Sequence, residues 1–530
     1  MGTPIANGAA EAGLFQRPSS FSFWPRVRAF AVPASMIETA TARRVVGDWA
    51  GACAAAGFDV DLNLRSVARD YGRDIAGRVR ADLRALAPDL LRWHMPRVAP
   101  DGLLRPGLTL TLATYGRYCE HGHGARERQR PLHLVVRTPP AWADAGQRIS
   151  LALWDGGRGG REPSSALRHP HPRPNRRFRL DLHRHLWDAR RVGELRYRCG
   201  GFDGAERVGG FDGFDGFDGS YGAYGNPAAL DSDLPERLPY WRRCAVDRWA
   251  DEARLLLRAE GLSGGAVLVR LGGRHRLVLE LGEGEGETEG ADGPGGSFSL
   301  RIAASAKRSS AVPVVLPDAA TWVLPDLELL RAGLIDADGL HPLVASALVP
   351  DYSPSARRPF PGADPAGQPR LVECRGARHR IGLVDGVLAP LDHDPEEVRR
   401  EELLAALTGT PLPCLRAIDE AHRRPDCLPD VRERLDHGDI AGALAVVEGL
   451  LGPSAVLRDG ALRDELEAAA RQRITYGLFR AGLVGPGPGR VRYDERVGRP
   501  REYRAHPRNV NLAEARHAAA SAHRHHRAFF

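Results

Sequence analysis

Lysine is almost missing from this chain. Lys307 is the only one in 530 residues, although Lys and Arg together number 74. Schiff-base or lysine-dependent phosphate chemistry therefore has a single position to work from, beside Arg308 in an expected loop. Also absent are a Gly-x-x-x-x-Gly-Lys-Ser/Thr loop and any Cys-x-x-Cys pair. The seven cysteines are an odd number, which argues for reduced thiols and against a disulfide framework. No window approaches about 18 uninterrupted apolar residues, and the N-terminus lacks a charged-then-apolar leader pattern. These absences predict a cytoplasmic protein with no membrane partner.

What the chain has instead is a short pattern used twice. Gly47-Asp48-Trp49-Ala50-Gly51-Ala52-Cys53-Ala54 returns as Gly438-Asp439-Ile440-Ala441-Gly442-Ala443-Leu444-Ala445, with six of eight positions identical. Glycine suits the left-handed residue that ends one helix, and aspartate suits the N-cap that opens the next. Both copies predict tight helix–helix corners. Ser35 and Glu38 have capping-box spacing ahead of the first corner. A longer helix is expected over 63–86, with Val67, Tyr71, Ile75, Val79, Leu83 and Leu86 on its apolar stripe.

From about 107 to 200 the apolar period drops to two, and 108–114, 132–137, 149–154 and 178–182 read as strands. Phe-Asp-Gly then recurs at 202–204, 211–213, 214–216 and 217–219, a glycine density that allows no apolar face. Beyond it come a helix near 240–260, a hairpin at 266–281 turning on Gly272-Gly273, and an acidic stretch over 282–297. A meander over 371–391 closes on Asp385-Gly386. Asp394 and Pro395 then open a helix that ends before Gly409, and further helices are expected at 429–436, 440–451 and 461–482. On the last, Leu462, Leu466, Ala470, Ile474 and Leu478 form the stripe. Asn511 is placed to cap a short terminal helix.

The expected fold class is α+β: a helical N-terminal subdomain, a β-rich antiparallel middle with flexible Gly-rich inserts, and a helical C-terminal region. The divisions are an irregular segment 1–34, a helical subdomain 35–100, a β-rich basic region 101–200 and a Gly-rich linker 201–230. A mixed region 231–393 with hairpins and an acidic insert follows, then a helical subdomain 394–482 and a basic His/Arg-rich tail 483–530.

The run Ser35-Met36-Ile37-Glu38, continuing through Gly47-Asp48-Trp49 to Asp89-Leu90-Leu91-Arg92-Trp93-His94, resembles a family of actinobacterial cytoplasmic proteins with no known activity. Leu316-Pro317-Asp318-Ala319-Ala320-Thr321-Trp322 and His341-Pro342-Leu343-Val344 are similar to it too. The resemblance covers most of the chain outside the Gly-rich inserts. It implies an actinobacterial cytosol and transfers no activity.

Two clusters carry ligand-type side chains. Cys119-Glu120-His121-Gly122-His123 has the residue types zinc favours, but no second cluster matches it. His169, His171, His183 and His185 sit among arginines that repel a cation, so a polar hairpin loop is the simpler reading. Asp385, Asp392, His393 and Asp394 suggest a metal-dependent hydrolase. Turn formation accounts for Asp385 and helix capping for Asp394, leaving Asp392 and His393. No catalytic residue, cofactor or metal ligand is assigned.

Charge layout points outward. Residues 117–200 hold 18 Arg against 8 acids, and residues 471–530 hold 13 Arg against 4 acids, so the remainder is acidic. Arginine forks grip phosphates, and Trp142, Trp154, Phe178, Trp187, Tyr493 and Tyr503 lie in these stretches as candidate stacking surfaces. Arg490, Arg492, Arg499 and Arg501 are the candidate anion-binding residues. The preferred reading is a non-enzymatic cytoplasmic scaffold or protein-interaction protein with a protein partner. The alternative is a nucleic-acid-associated protein using its arginine-rich segments, and the second alternative a metal-dependent hydrolase with a dispersed active site.

Overall fold

The computed structural model describes residues 24–118, 130–156, 169–199, 238–239, 242–272, 275–283, 298–302, 314–349, 352–353, 369–483 and 528–529. The fold is α+β. Helix α1 (Ala34–Val45) meets α2 (Trp49–Ala55) at the first Gly-Asp corner. Gly47 takes φ +80°, its N–H reaching the Arg44 carbonyl at 2.9 Å while Asp48 N–H reaches that of Arg43 at 2.9 Å. The Asp48 carboxylate then accepts from Gly51 N–H at 2.8 Å. A left-handed glycine thus closes one helix and an aspartate opens the next.

The capping box does not form. Pro33, extended at ψ 160°, is the N-cap, so Ser35 lies inside the first turn and no side chain caps the helix. The expected single helix over 63–86 is two. After β1 (Phe58–Val60), Asn63 caps α3 (Leu64–Tyr71), accepting from Arg65 N–H at 2.9 Å. Gly72 at φ +93° then breaks the axis before α4 (Arg73–Ala85). Helix α5 (Pro88–His94), β2 (Arg97–Val98) and β3 (Leu103–Leu104) lead to β4 (Thr109–Tyr118), β5 (Arg130–Arg137) and β6 (Ile149–Trp154). The sheet order is β1-β6-β5-β4, parallel only between β1 and β6.

Residues 178–182 are not a strand. Phe178 and Leu180 are buried and Arg179 between them is only partly buried, so the alternation is real. The backbone, however, curls through successive turns and pairs with β4 through a single Thr111–Arg179 bridge.

Helix α6 (Trp249–Ala259) covers a second sheet, ordered β10-β7-β8-β9, built from β7 (Gly265–Arg270), β8 (Arg276–Glu283), β9 (Phe298–Ile302) and β10 (Val314–Val315). Gly282 and Glu283 of the expected acidic loop therefore belong to a strand. The chain next returns to the first core through α7 (Pro325–Arg331) and α8 (Pro342–Leu348). Buried polar pairs fix that return. Asp326 accepts from Arg28 and from Trp93 Nε1 (3.0 Å), and His341 Nε2 meets Asp89 at 2.9 Å.

The meander is β11 (Arg370–Cys374), β12 (Ala377–Val384) and β13 (Val387–Pro390), with Asp385 and Gly386 both left-handed in the turn. Asp394 caps α9 (Pro395–Thr408), which ends at left-handed Gly409 and buries no residue. An unexpected helix, α10 (Pro413–Arg423), precedes α11 (Leu428–His437) and α12 (Ile440–Leu451). Gly438 (φ +87°) and Asp439 repeat the first corner bond for bond: Gly438 N–H to Leu435 (3.1 Å), Asp439 N–H to Arg434 (2.8 Å), Gly442 N–H to Asp439 (3.0 Å).

In α13 (Ala461–Ala481) Leu462 is buried, but Ile474 is 64% and Leu478 41% exposed. The helix outruns its own layer, and its last turns dock Tyr476 and Phe479 on the N-terminal lobe instead. There Tyr476 hydroxyl donates to Asp59, Arg480 pairs with Asp61, and Phe479 meets Trp142 edge-on. A final strand, β14 (Ala528–Phe529), extends β2 and β3 in the order β14-β2-β3. Among the described residues no helix is long and apolar enough to cross a membrane.

Candidate anion-binding cleft

Most arginines of the basic segment are already paired where they are described. Arg177 grips Asp318 in two bonds, Arg179 takes Asp181 and Glu260, Arg184 spans Asp82 and Asp188, Arg190 reaches Asp188, and Arg198 forks onto buried Glu252. The pairs to Asp318, Glu260, Asp82 and Glu252 join elements distant in sequence, while those to Asp181 and Asp188 are local. Burial works against the charge on Arg179, but the Asp181 hydrogen bond holds its guanidinium above its ordinary value. The positive charge of this segment is thus largely spent within the fold.

Arg173 and Arg176 of this segment and Arg78 of α4 have no ion-pair partner among the described residues, and the three share one cleft of about 1270 Å³ between the first sheet and the second lobe. Arg78 stands on the outer face of α4 with its guanidinium 5.5 Å from the Tyr115 ring centre. Arg173 and Arg176 are exposed on the loop before the turns at 178–182 and make no ion pair among the described residues. The floor is a cross-strand pair: His133 of β5 sits opposite Trp154 of β6, with ring centres 5.5 Å apart. Thr114 of β4, opposite His133 on the other side, meets its Nδ1 at 3.1 Å. Burial lowers the His133 pKa, with Asp181 opposing, so this ring is a neutral surface near pH 7. The α6 end of the wall contributes Glu260, which is engaged by Arg179. A second hollow of about 430 Å³ shares Arg78, Thr114 and Tyr115 and reaches Arg184 and Arg190. A cleft between lobes, carrying fixed positive charge beside two flat rings, can hold phosphates and a stacked base.

The sequence-derived candidates fall elsewhere. Arg490, Arg492, Arg499 and Arg501 lie outside the described residues, as do Cys119, His121 and His123 and the expected cap Asn511. Of the stacking candidates in the described part, Trp154 lines the cleft, Phe178 and Trp187 are buried, and Trp142 packs on Phe479. His169, His183 and His185 are buried against protein groups, the Thr138 carbonyl, Glu252 and Glu194, with His183 and His185 edge-on at 5.7 Å between ring centres. Burial lowers the His169 pKa to about 4 and the His185 pKa to about 3.

The acidic cluster does not assemble into an active site. Asp385 turns the hairpin, Asp394 caps α9, and Asp392 accepts from the Arg380 backbone (2.7 Å) and guanidinium (2.7 Å), which holds its pKa at about 2. His393 turns away from these carboxylates, toward the inside of the meander. Arg78 was missed because an arginine off a helix stripe has no local signal of what it faces. Compared with family models, curated proteins and solved structures, the chain matches none.

Proposed function

We propose that this is a non-enzymatic binding protein whose interlobe cleft takes single-stranded nucleic acid. Arg78, Arg173 and Arg176 would contact phosphates, and the His133–Trp154 pair would carry a base. One observation supports the reading above the others: among the described residues these arginines have no carboxylate partner, in a region where their neighbours do. A cytoplasmic setting goes with it, supported by six free thiols among the described residues.

Fluorescence anisotropy with labelled single-stranded DNA and RNA tests the reading. Three phosphate contacts give a log–log salt slope of about −2, so affinity should fall about 20-fold between roughly 50 and 200 mM salt. Arg78→Ala, Arg173→Ala and Arg176→Ala together should weaken binding and flatten that slope. Binding unchanged in the triple variant but abolished by substituting Arg490, Arg492, Arg499 and Arg501 would move the site to the tail. No binding at low salt would remove the nucleic-acid reading altogether.

A second reading, the scaffold, has its own observation. Helix α9 buries none of its residues and exposes Leu403, Leu404 and Leu407 by 64%, 50% and 84%. Exposed apolar rows of this kind mark protein-docking surfaces. Leu403→Glu with Leu407→Glu should remove a protein partner while leaving nucleic-acid binding intact.

A further inference from the structure

We propose that Cys374, His393 and Cys414 form a zinc site that ties the meander to the helices following it. The topology brings them together. Cys374 is the last residue of β11, and its register partner Ala377 places it on the same sheet face as His379 and Ile381 of β12. Cys414 is the second residue of α10, whose first turn lies over that face with Leu412 and Ile418. His393 comes in from the loop between β13 and α9. One ligand atom from each of the three lies within 4.8 Å of the others. Zinc–sulfur and zinc–nitrogen bonds of about 2.3 and 2.1 Å set tetrahedral ligand separations of roughly 3.5–3.8 Å, so a closure of about 1 Å completes the set.

A second, independent observation points to a ligand. The His393 side chain is only 4% exposed, yet its Nε2 has no hydrogen-bond partner among the described residues. An apolar core containing two thiols gives no reason to bury an imidazole nitrogen unpaired, whereas a metal ion supplies its missing partner. The other nitrogen has an orienting group. Glu397 of α9 lies 3.8 Å from Nδ1, and both Glu397 and Glu401 take Arg375, the residue after Cys374, at 2.6 Å. Carboxylates behind a ligating imidazole fix its orientation in this way. His379 stacks on His393 with ring centres 4.3 Å apart, and its own Nδ1 is also buried with no hydrogen-bond partner among the described residues. Two thiolates and imidazole select zinc over harder cations. The sequence reading assigned no metal because the spacing, Cys-x18-His-x20-Cys, matches no finger pattern. The site is independent of the cleft.

The test uses the full chain purified from zinc-supplemented culture without chelator. Elemental analysis should find about one zinc per chain, falling about tenfold or more in Cys374→Ser/Cys414→Ser and in His393→Asn, and retained in Cys199→Ser, whose thiol lies in the first core. Two measurements on the unaltered chain guard against misfolded variants. Cobalt in place of zinc should give thiolate charge-transfer and tetrahedral d–d absorption. Cys374 and Cys414 should resist alkylation until a chelator is added. Zinc below about a tenth of an equivalent, zinc unchanged in the double serine variant, or a Cys374–Cys414 disulfide in the peptide map would each overturn the proposal.

Discussion

Asp326→Asn isolates the charge at the centre of the first core. The Asp326 carboxylate is fully buried and accepts from Arg28, whose guanidinium lies 3.7 Å from the Trp93 ring centre, and from Trp93 Nε1. Burial opposes its ionisation, but Arg28 wins and lowers its pKa from 3.8 to about 2. That difference corresponds to about 2.5 kcal/mol. The amide keeps the shape and an acceptor for Trp93 but strands a buried guanidinium, which brings the expected loss to about 3–5 kcal/mol. For a lobe of this size the melting temperature should fall on the order of 10 °C. A depressed carboxylate stabilises above its unfolded pKa, and the contribution disappears as pH falls through the folded one. The gap between wild type and Asp326→Asn should therefore hold from pH 7 to about 4 and close toward pH 2. Urea melts across that range measure it. A loss below about 1 kcal/mol at pH 7, or a gap that does not narrow in acid, would refute the reasoning.

Three other outcomes follow from the same geometry. Asp48→Ala and Asp439→Ala should each cost about 0.5–2 kcal/mol in thermal melts, the second more because Asp439 is buried and holds Arg434 at 2.7 Å, whereas the Asp48–Arg43 pair is exposed at 3.2 Å. Gly47→Ala meets only the strain of its positive φ, whereas Gly438 also lies against the Gly146 backbone, so Gly438→Ala should cost about 1–3 kcal/mol more. Burial raises the Glu328 pKa from 4.5 to about 7, against Arg242 and Arg243. A raised carboxylate penalises folding only above its unfolded pKa, so Glu328→Gln should gain about 1 kcal/mol at pH 8, after allowing for solvent screening, and nothing at pH 4.

What the sequence carried legibly was local. The two Gly-Asp corners, the Asp385-Gly386 turn and the Asp394-Pro395 helix start each satisfy their hydrogen bonds within a few residues, so composition alone locates them. The misses are nonlocal. Residues 178–182 alternate as a strand does, but no neighbouring strand runs alongside them. The Ile474 and Leu478 stripe fails because α13 crosses to another lobe, where Tyr476 and Phe479 are the residues that find a surface. Gly72 divides a helix that an unbroken apolar period had joined. Sites suffer most from this limit. Whether an arginine is spent or available depends on carboxylates far off in the chain, 141 residues away for Arg177 and Asp318 and 419 for Arg480 and Asp61, and the Cys374–His393–Cys414 group exists only once a sheet and a helix meet.

The cleft reading stands or falls on where a nucleic acid touches the chain. Ultraviolet crosslinking of a single-stranded oligonucleotide to the full-length protein, followed by peptide mapping, reads this directly. Adducts on Trp154 or His133, lost when Arg78, Arg173 and Arg176 are replaced by alanine, are the predicted result. Adducts confined to residues 484–527, or none under conditions where the oligonucleotide is bound, would contradict it.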